Sequence, residues 1–173
     1  MRRTLAGFAT GLSVVAAEVE GRVVGMPANS LVSVSLDPPL VSLSFAHTST
    51  TWPVLRRAQR WGISVLGEGN EQVLHDLRRP TAERFDGVEM DLSGQAAFMP
   101  GALATIEVAP HTAVEAGDHT LMLLEVLALD LDGTQAPLVF FGSQVRTLAG
   151  RVAAFGASEV KMGDGQPSRP LGH

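Results

Sequence analysis

Residues 25–54 read GMPANSLVSVSLDPPLVSLSFAHTSTTWPV, and the alternation inside this stretch decides the fold. In SLVSVSL, Ser33 and Ser35 face one way while Val32, Val34 and Leu36 face the other. After Asp37-Pro38-Pro39, LVSLSF repeats the pattern with Val41, Leu43 and Phe45 opposite Ser42 and Ser44. Period-two alternation is the mark of a half-buried strand, and a Pro-Pro pair ends a ladder because neither residue donates. Nine Ser or Thr residues fall between Ser30 and Thr51, so the polar side of these strands is built from small hydroxyls rather than charges.

Working outward, the chain keeps to strands. Upstream, LSVVAAEVEGRVVGMPANS reads as two β-rich runs joined by a turn at Glu20-Gly21, and RRTLAGFATG as the end of a short helix stopped by Gly11. Downstream, STTWPVLRRAQRW has a helix start, with Thr51 as N-cap, Pro53 in the first turn and a stripe of Val54, Leu55 and Ala58. WGISVLGEG returns to strand. NEQVLHDLRRP predicts a second helix, capped by Asn70 and stopped by Pro80. Residues 102–130 hold two or three further strands, and APLVFFG a final one. With few, short helices and no regular βαβ alternation, the expectation is a mainly β, antiparallel barrel with a few flanking helices. The domain is expected over residues 1–156, with a flexible tail at 157–173, where apolar periodicity is lost.

Composition excludes several classes of function. The 173-residue chain suits one domain, and its net charge of −5 with scattered basic residues argues against a nucleic-acid binder. It contains no cysteine, which removes disulfides, thiol catalysis and thiolate-bound metal, and fits a cytoplasmic protein. No segment is long and apolar enough to span a bilayer, and Gly7, Thr10, Gly11 and Ser13 interrupt the only leader-like run. The five histidines, at 47, 75, 111, 119 and 173, have no compact ligand spacing, so no metal site is expected. Neither a dinucleotide glycine fingerprint, a P-loop nor a G-x-S-x-G elbow occurs.

Two constellations remain. AHTSTT, between a strand and a helix mouth, offers hydroxyls and backbone N–H groups to an anion, although Thr51 acting simply as a cap explains the same residues. AGDHT, residues 116–120, interrupts apolar strands with charge, and reads either as a solvated turn or as a site.

Taken in order, FATGLSVVAA, GMPANSLVSVSLDPPLVSLSFAHTSTTWPVL, RWGISVLGEG, ERFDG, AGDHTLMLLEVLAL and PLVFF resemble the flavin reductase-like family of FMN-binding split barrels over about Leu5 to Leu148. The resemblance implies a Greek-key split barrel and an NAD(P)H:flavin oxidoreductase. Such an enzyme uses FMN or FAD with NADH or NADPH, pairs as a homodimer, and supplies reduced flavin to a partner monooxygenase. It implies that Gly25, Met26, Pro27, Ala28, Asn29 and Ser30 lie along the flavin ring, and that Ser44, Phe45, Ala46, Ser49, Thr50 and Thr51 surround its ribityl phosphate. Arg84 would pair with the phosphate, with Phe85 nearby. Gly117, Asp118 and His119 would lie where the nicotinamide docks, with His119 as the catalytic candidate, while Phe141 and Arg146 would hold the rest of that nucleotide. The family usually has Thr where this chain has Pro27, which removes a donor and a hydroxyl near the flavin edge. That departure keeps two alternatives open: a flavin-binding carrier or partner subunit, and an oxidoreductase using retained FMN on an organic substrate.

Overall fold

A computed structural model describes residues 1–132 and 134–148. In chain order these form α1 (Arg2–Leu5), β1 (Thr10–Gly11), β2 (Ser13–Val19), β3 (Arg22–Ala28), β4 (Val32–Leu36), β5 (Pro39–Ala46), α2 (Trp52–Leu55) and β6 (Trp61–Val65). Two 3₁₀ turns follow, Glu68–Leu74 and Asp76–Arg78, then β7 (Asp91–Ser93), β8 (Ala96–Phe98), β9 (Ala104–Ala116), β10 (His119–Leu131), β11 (Leu138–Phe141) and β12 (Gln144–Thr147). The main sheet runs β4-β5-β10-β9-β6-β2-β8-β7, with β3 beside β2, while β1, β11 and β12 make a smaller sheet. The strand pairings are antiparallel.

The main sheet curls because its alternating apolar residues share one core. Val15 of β2, Leu43 and Phe45 of β5, Ile63 of β6, Val108 of β9 and Leu124 of β10 meet in a single buried cluster. An aromatic group anchors it: Phe45 stacks on Trp52 at 4.3 Å, and Trp61 meets both edge-on at 5.8 and 5.7 Å. The Trp61 indole N–H is satisfied by the Ala58 carbonyl at 3.1 Å, so its burial leaves no orphan donor. The other face of β2 packs Leu12, Val14 and Ala16 into a second cluster with Leu66, Leu77 and Leu138. This is a split β-barrel, open between β3 and β4, and the Ser30 hydroxyl in the connection between them accepts the Ser44 N–H of β5 at 3.1 Å.

Several expectations are corrected. The helix expected over NEQVLHDLRRP is two 3₁₀ turns, and the N-cap is Gly67, with Asn70 three residues on bonding back to it. The Asn70 side chain is buried, accepting from Gly67 N–H at 3.1 Å and donating to the Pro100 carbonyl at 3.1 Å, so this turn is held against the residue 100 loop. The N-terminal helix ends at Leu5, and Gly11 lies in a strand paired with Val139. The apolar side of β4 is not core: Val32, Val34 and Leu36 are 56%, 48% and 90% exposed. The hairpin of β7 and β8 was not expected, and the single final strand is a hairpin. No described helix is long and apolar enough to cross a membrane. The expected end of the domain at residue 156 and the tail at 157–173 lie outside the described residues.

Candidate functional site

The serines of the deciding stretch take opposite roles by parity. Leu43 and Phe45 point into the barrel, so Ser42, Ser44 and Ala46 form the outer face of β5. Register sets Leu123, Leu121 and His119 of β10 opposite them. The result is a shelf with small side chains on β5, leucines on β10 and His119 at one end. A cleft of about 760 Å³ opens above it, lined by Ser42, Ser44 and Leu121 with Asn29, Ser30 and Phe140. A flat ligand can lie over the small residues of β5, with Leu121 as apolar surface beside it.

Beyond Ala46 the chain turns into the hydroxyl cluster. Ser49 N–H donates to the Ala46 carbonyl at 2.9 Å, and the Ser49 hydroxyl accepts from Trp52 N–H at 3.2 Å while pointing toward Met26 Sδ at 3.8 Å. Ser49 therefore caps α2; Thr51, though at the cap position, makes no side-chain cap bond. With one turn of helix and its first donors already committed, α2 has little dipole to offer an anion. The groups that could receive an anion are side chains instead. Thr81 joins the Thr50 and Thr51 hydroxyls at 2.8 and 3.1 Å, and Arg84 Nη1 donates to Thr51 Oγ1 at 3.1 Å and to the Gly25 carbonyl at 2.8 Å.

Arg84 is the electrostatic key. Burial pulls its guanidinium below the ordinary arginine value, and among the described residues no carboxylate pairs with it. Its Nε is buried without a hydrogen-bond partner. A buried N–H without a partner costs about 1–3 kcal/mol, which an anionic acceptor reaching the guanidinium would offset. A phosphate oxygen fits this donor set: a guanidinium with a spare N–H beside three threonine hydroxyls.

The glycine of GMPANS explains how the segment reaches Arg84. A Cβ at Gly25 would lie 2.4 Å from the Val15 carbonyl, so only glycine lets β3 close on β2 here. A residue's N–H and C=O point to the same side of its strand, so the carbonyl that Arg84 takes puts the backbone of Val23, Gly25 and Pro27 on the free edge of β3. Pro27 thus breaks no ladder bond, but the free edge lacks one donor beside the Leu12, Ala28, Asn29 and Phe140 depression it lines.

The Gly117-Asp118-His119 turn closes the long β9–β10 hairpin. Gly117 sits at φ 66° as the first turn residue, a position glycine takes without strain. His47 N–H donates to the Asp118 carbonyl at 2.9 Å, tying this turn to the hydroxyl loop, and His47 Nε2 meets Glu115 Oε2 at 3.0 Å. His119 Nδ1 meets Asp118 Oδ1 at 2.6 Å; that hydrogen bond, then the imidazole's charge, holds the Asp118 carboxyl below the usual carboxylate range.

The structure therefore brings together Gly25, Met26, Ser49, Thr50, Thr51 and Arg84, and joins Asn29, Ser30 and Ser44 around the cleft. Ala28 lies beside Pro27. Phe45 offers only backbone, because its side chain is in the core, and Phe85 packs against the second apolar cluster. Phe141 and Arg146 stand apart: Arg146 lies over the Phe141 ring at 5.7 Å on the small sheet, while Phe140 turns to the cleft. Thr81 and Phe140 were missed. Thr81 had only its position three residues before Arg84 as a signal, and Phe140 only the alternation of LVFF. Among the described residues no group of three metal-ligating side chains occurs.

A family model described as "Flavin reductase like domain" matches residues 1–149. The chain is 38% identical over 143 residues to the Agrobacterium fabrum protein named FMN reductase (NADH) SmoA, covering 82% of this chain and 80% of that protein. It is 31% identical over 170 residues to a Streptomyces coelicolor protein named actinorhodin polyketide dimerase, covering 97% and 94%. Among solved structures, the Streptomyces globisporus NADH:FAD oxidoreductase SgcE6 superposes with a TM-score of 0.80 at 33% identity over 86% of this chain and 92% of that one.

Proposed function

The chain belongs to the flavin reductase-like family, and on that premise we propose that it is an NADH-dependent flavin reductase that supplies reduced flavin to a partner monooxygenase. One observation carries the reading: half-buried Arg84, its Nε without a partner and no carboxylate paired with it among the described residues, donates into a cluster of three threonine hydroxyls just beyond the Ala46 end of the shelf. Bound flavin would supply the hydride acceptor and NADH the donor. The protein's own part is to position and to screen. Arg84 with Thr50, Thr51 and Thr81 would hold the phosphate arm, Ser42, Ser44 and Ala46 would give the ring a flat seat, and Asn29 and Ser30 would meet its polar edge. His119, oriented by Asp118 at the end of the shelf, would contact the nicotinamide side. No general base is needed, because a hydride rather than a proton moves between the two rings.

The exposed apolar residues Val32, Val34 and Leu36 on β4 support pairing of two copies, since monomers rarely leave such a strip in water. The cytoplasm, where nicotinamide dinucleotides are held, is the proposed compartment.

Loss of NADH absorbance with FMN or FAD added in excess tests this reading. The expected result is turnover that scales with free flavin. No oxidation of NADH or NADPH with either flavin would defeat it. A second reading, a retained flavin acting directly on an organic substrate, draws on Pro27 and on the relative named a polyketide dimerase. In that case flavin would co-elute through gel filtration, and turnover would need an organic acceptor.

A further inference from the structure

His47 belongs to AHTSTT but not to the threonine cluster around Arg84, and its bonds lead to the β9–β10 hairpin instead. Strand β10 lies between β5 and β9, with His119 opposite Ala46 and Ala116, and Thr120 opposite Phe45 and Glu115. Opposed side chains share a face, so His119 belongs to the shelf face while Thr120 and Glu115 lie on the Phe45 face. On that reverse face the Glu115 carboxylate is bonded twice. Its Oε1 accepts from the Thr120 hydroxyl at 3.2 Å, and its Oε2 from His47 Nε2 at 3.0 Å. A carboxylate only accepts, so Nε2 carries the proton in that bond. Arg56 lines the same small cavity as Glu115 and Thr120, but among the described residues the ion-pair partner of Glu115 is His47. The main chain of His47 adds a third tie, its N–H donating to the Asp118 carbonyl at 2.9 Å. His119 is therefore bracketed: His47 holds the residue before it, and Glu115 the residue after it.

The bracket falls where the sheet gives out. Ala46 is the last residue of β5, so the final rung of the β5–β10 ladder is the one at His119. On the other side, β6 accompanies β9 only from Ala104 to Val108, and the outer edge of residues 109–116 has no described strand beside it. A hairpin end with so few neighbours opens at low cost unless it is tied. We propose that His47 and Glu115 form a positioning pair, which braces the Gly117–His119 turn from behind and fixes where His119 meets the nicotinamide. The inference rests on the reading of His119 as the nicotinamide contact. Both side chains are exposed, 43% and 75%, and such a pair contributes little to global stability, so its effect lies in where the turn sits.

Steady-state kinetics of the full chain with NADH and FMN, with FMN affinity measured alongside, test the pair through Glu115→Ala, Glu115→Gln and His47→Ala. Glu115→Ala should raise KM for NADH about three- to fivefold, the most an exposed pair accounts for, and leave FMN affinity within about twofold. Simple electrostatics has the opposite sign, since removing a carboxylate favours an anionic dinucleotide. Glu115→Gln keeps an acceptor for Thr120 and an amide for His47, and should stay within about twofold of wild type. His47→Ala retains the main-chain N–H and should match Glu115→Ala, and the double variant should be no worse than either single one. In a His119→Ala background Glu115→Ala should change KM no further, because the pair acts through His119. An unchanged or lowered KM in Glu115→Ala overturns the proposal, as does an equal loss of FMN affinity. A rise that persists in the His119→Ala background overturns it too. Failure of the underlying reading is distinguishable: there His119→Ala alone leaves KM for NADH unchanged, and the proposal falls with it.

Discussion

Replacing Arg84 by Met separates the phosphate role from simple packing. Methionine keeps much of the apolar stem and removes the guanidinium, and with it the bonds to the Gly25 carbonyl and Thr51 Oγ1. In the free protein the change is nearly balanced. Two hydrogen bonds are lost, but so is a half-buried charge with an unpaired Nε, whose cost offsets part of their benefit. In the complex nothing offsets the loss. Charge-assisted bonds to phosphate contribute about 1.5–3 kcal/mol, which is a weakening of FMN binding by roughly 10–150-fold. The assay is flavin fluorescence titrated with FMN and, in parallel, with riboflavin, which has the same ring and no phosphate. Riboflavin affinity should move less than about threefold, because the shelf of Ser42, Ser44 and Ala46 is untouched. If Arg84→Met weakens riboflavin and FMN equally, Arg84 acts by holding the Gly25 segment in place and the phosphate assignment is wrong. If neither changes, the anion site itself is wrong.

Three other outcomes follow from the same geometry. His119→Ala should raise KM for NADH several-fold while leaving FMN affinity within about twofold, and equal loss of both would remove His119 from the nicotinamide side. Gly25→Ala should destabilise by more than about 1 kcal/mol in urea unfolding, since its Cβ would meet the Val15 carbonyl at 2.4 Å; an unchanged midpoint would contradict that contact. The Asp118 carboxyl is depressed when folded, so its contribution is present above the ordinary carboxylate value and is lost as pH falls through the lowered one. Carboxyl NMR should show Asp118 titrating below a model aspartate, and in His119→Ala the depression should shrink; retention of the full depression would assign it to another cause.

The sequence made the barrel legible wherever one side of a strand is core. VSLSF reads correctly because Leu43 and Phe45 are buried and Ser42 and Ser44 flank the cleft, which is the condition under which period two reports burial. The same pattern misleads at β4, whose apolar residues face outward; alternation reveals two faces but not which neighbour covers them. NEQVLHDLRRP carries a helical pattern but forms 3₁₀ turns, with Asn70 held to the distant Pro100 carbonyl, a contact no local pattern reports. At the site, the hydroxyls and Arg84 were visible through their order along the family pattern, whereas Thr81 was not. Its role depends on the chain returning across α2 to meet Thr50 and Thr51, and no local pattern encodes that return. The backbone N–H groups expected of AHTSTT give way to side chains, because α2 is one turn long and its first donors are already bonded.

The central claim, hydride delivery from nicotinamide to flavin, is tested most directly by anaerobic mixing of the protein with NADH and excess FMN or FAD. Bleaching of the flavin should match NADH consumed one for one, through many turnovers of protein. Bleaching that stops at one flavin per protein chain, or NADH left unconsumed, would contradict the account.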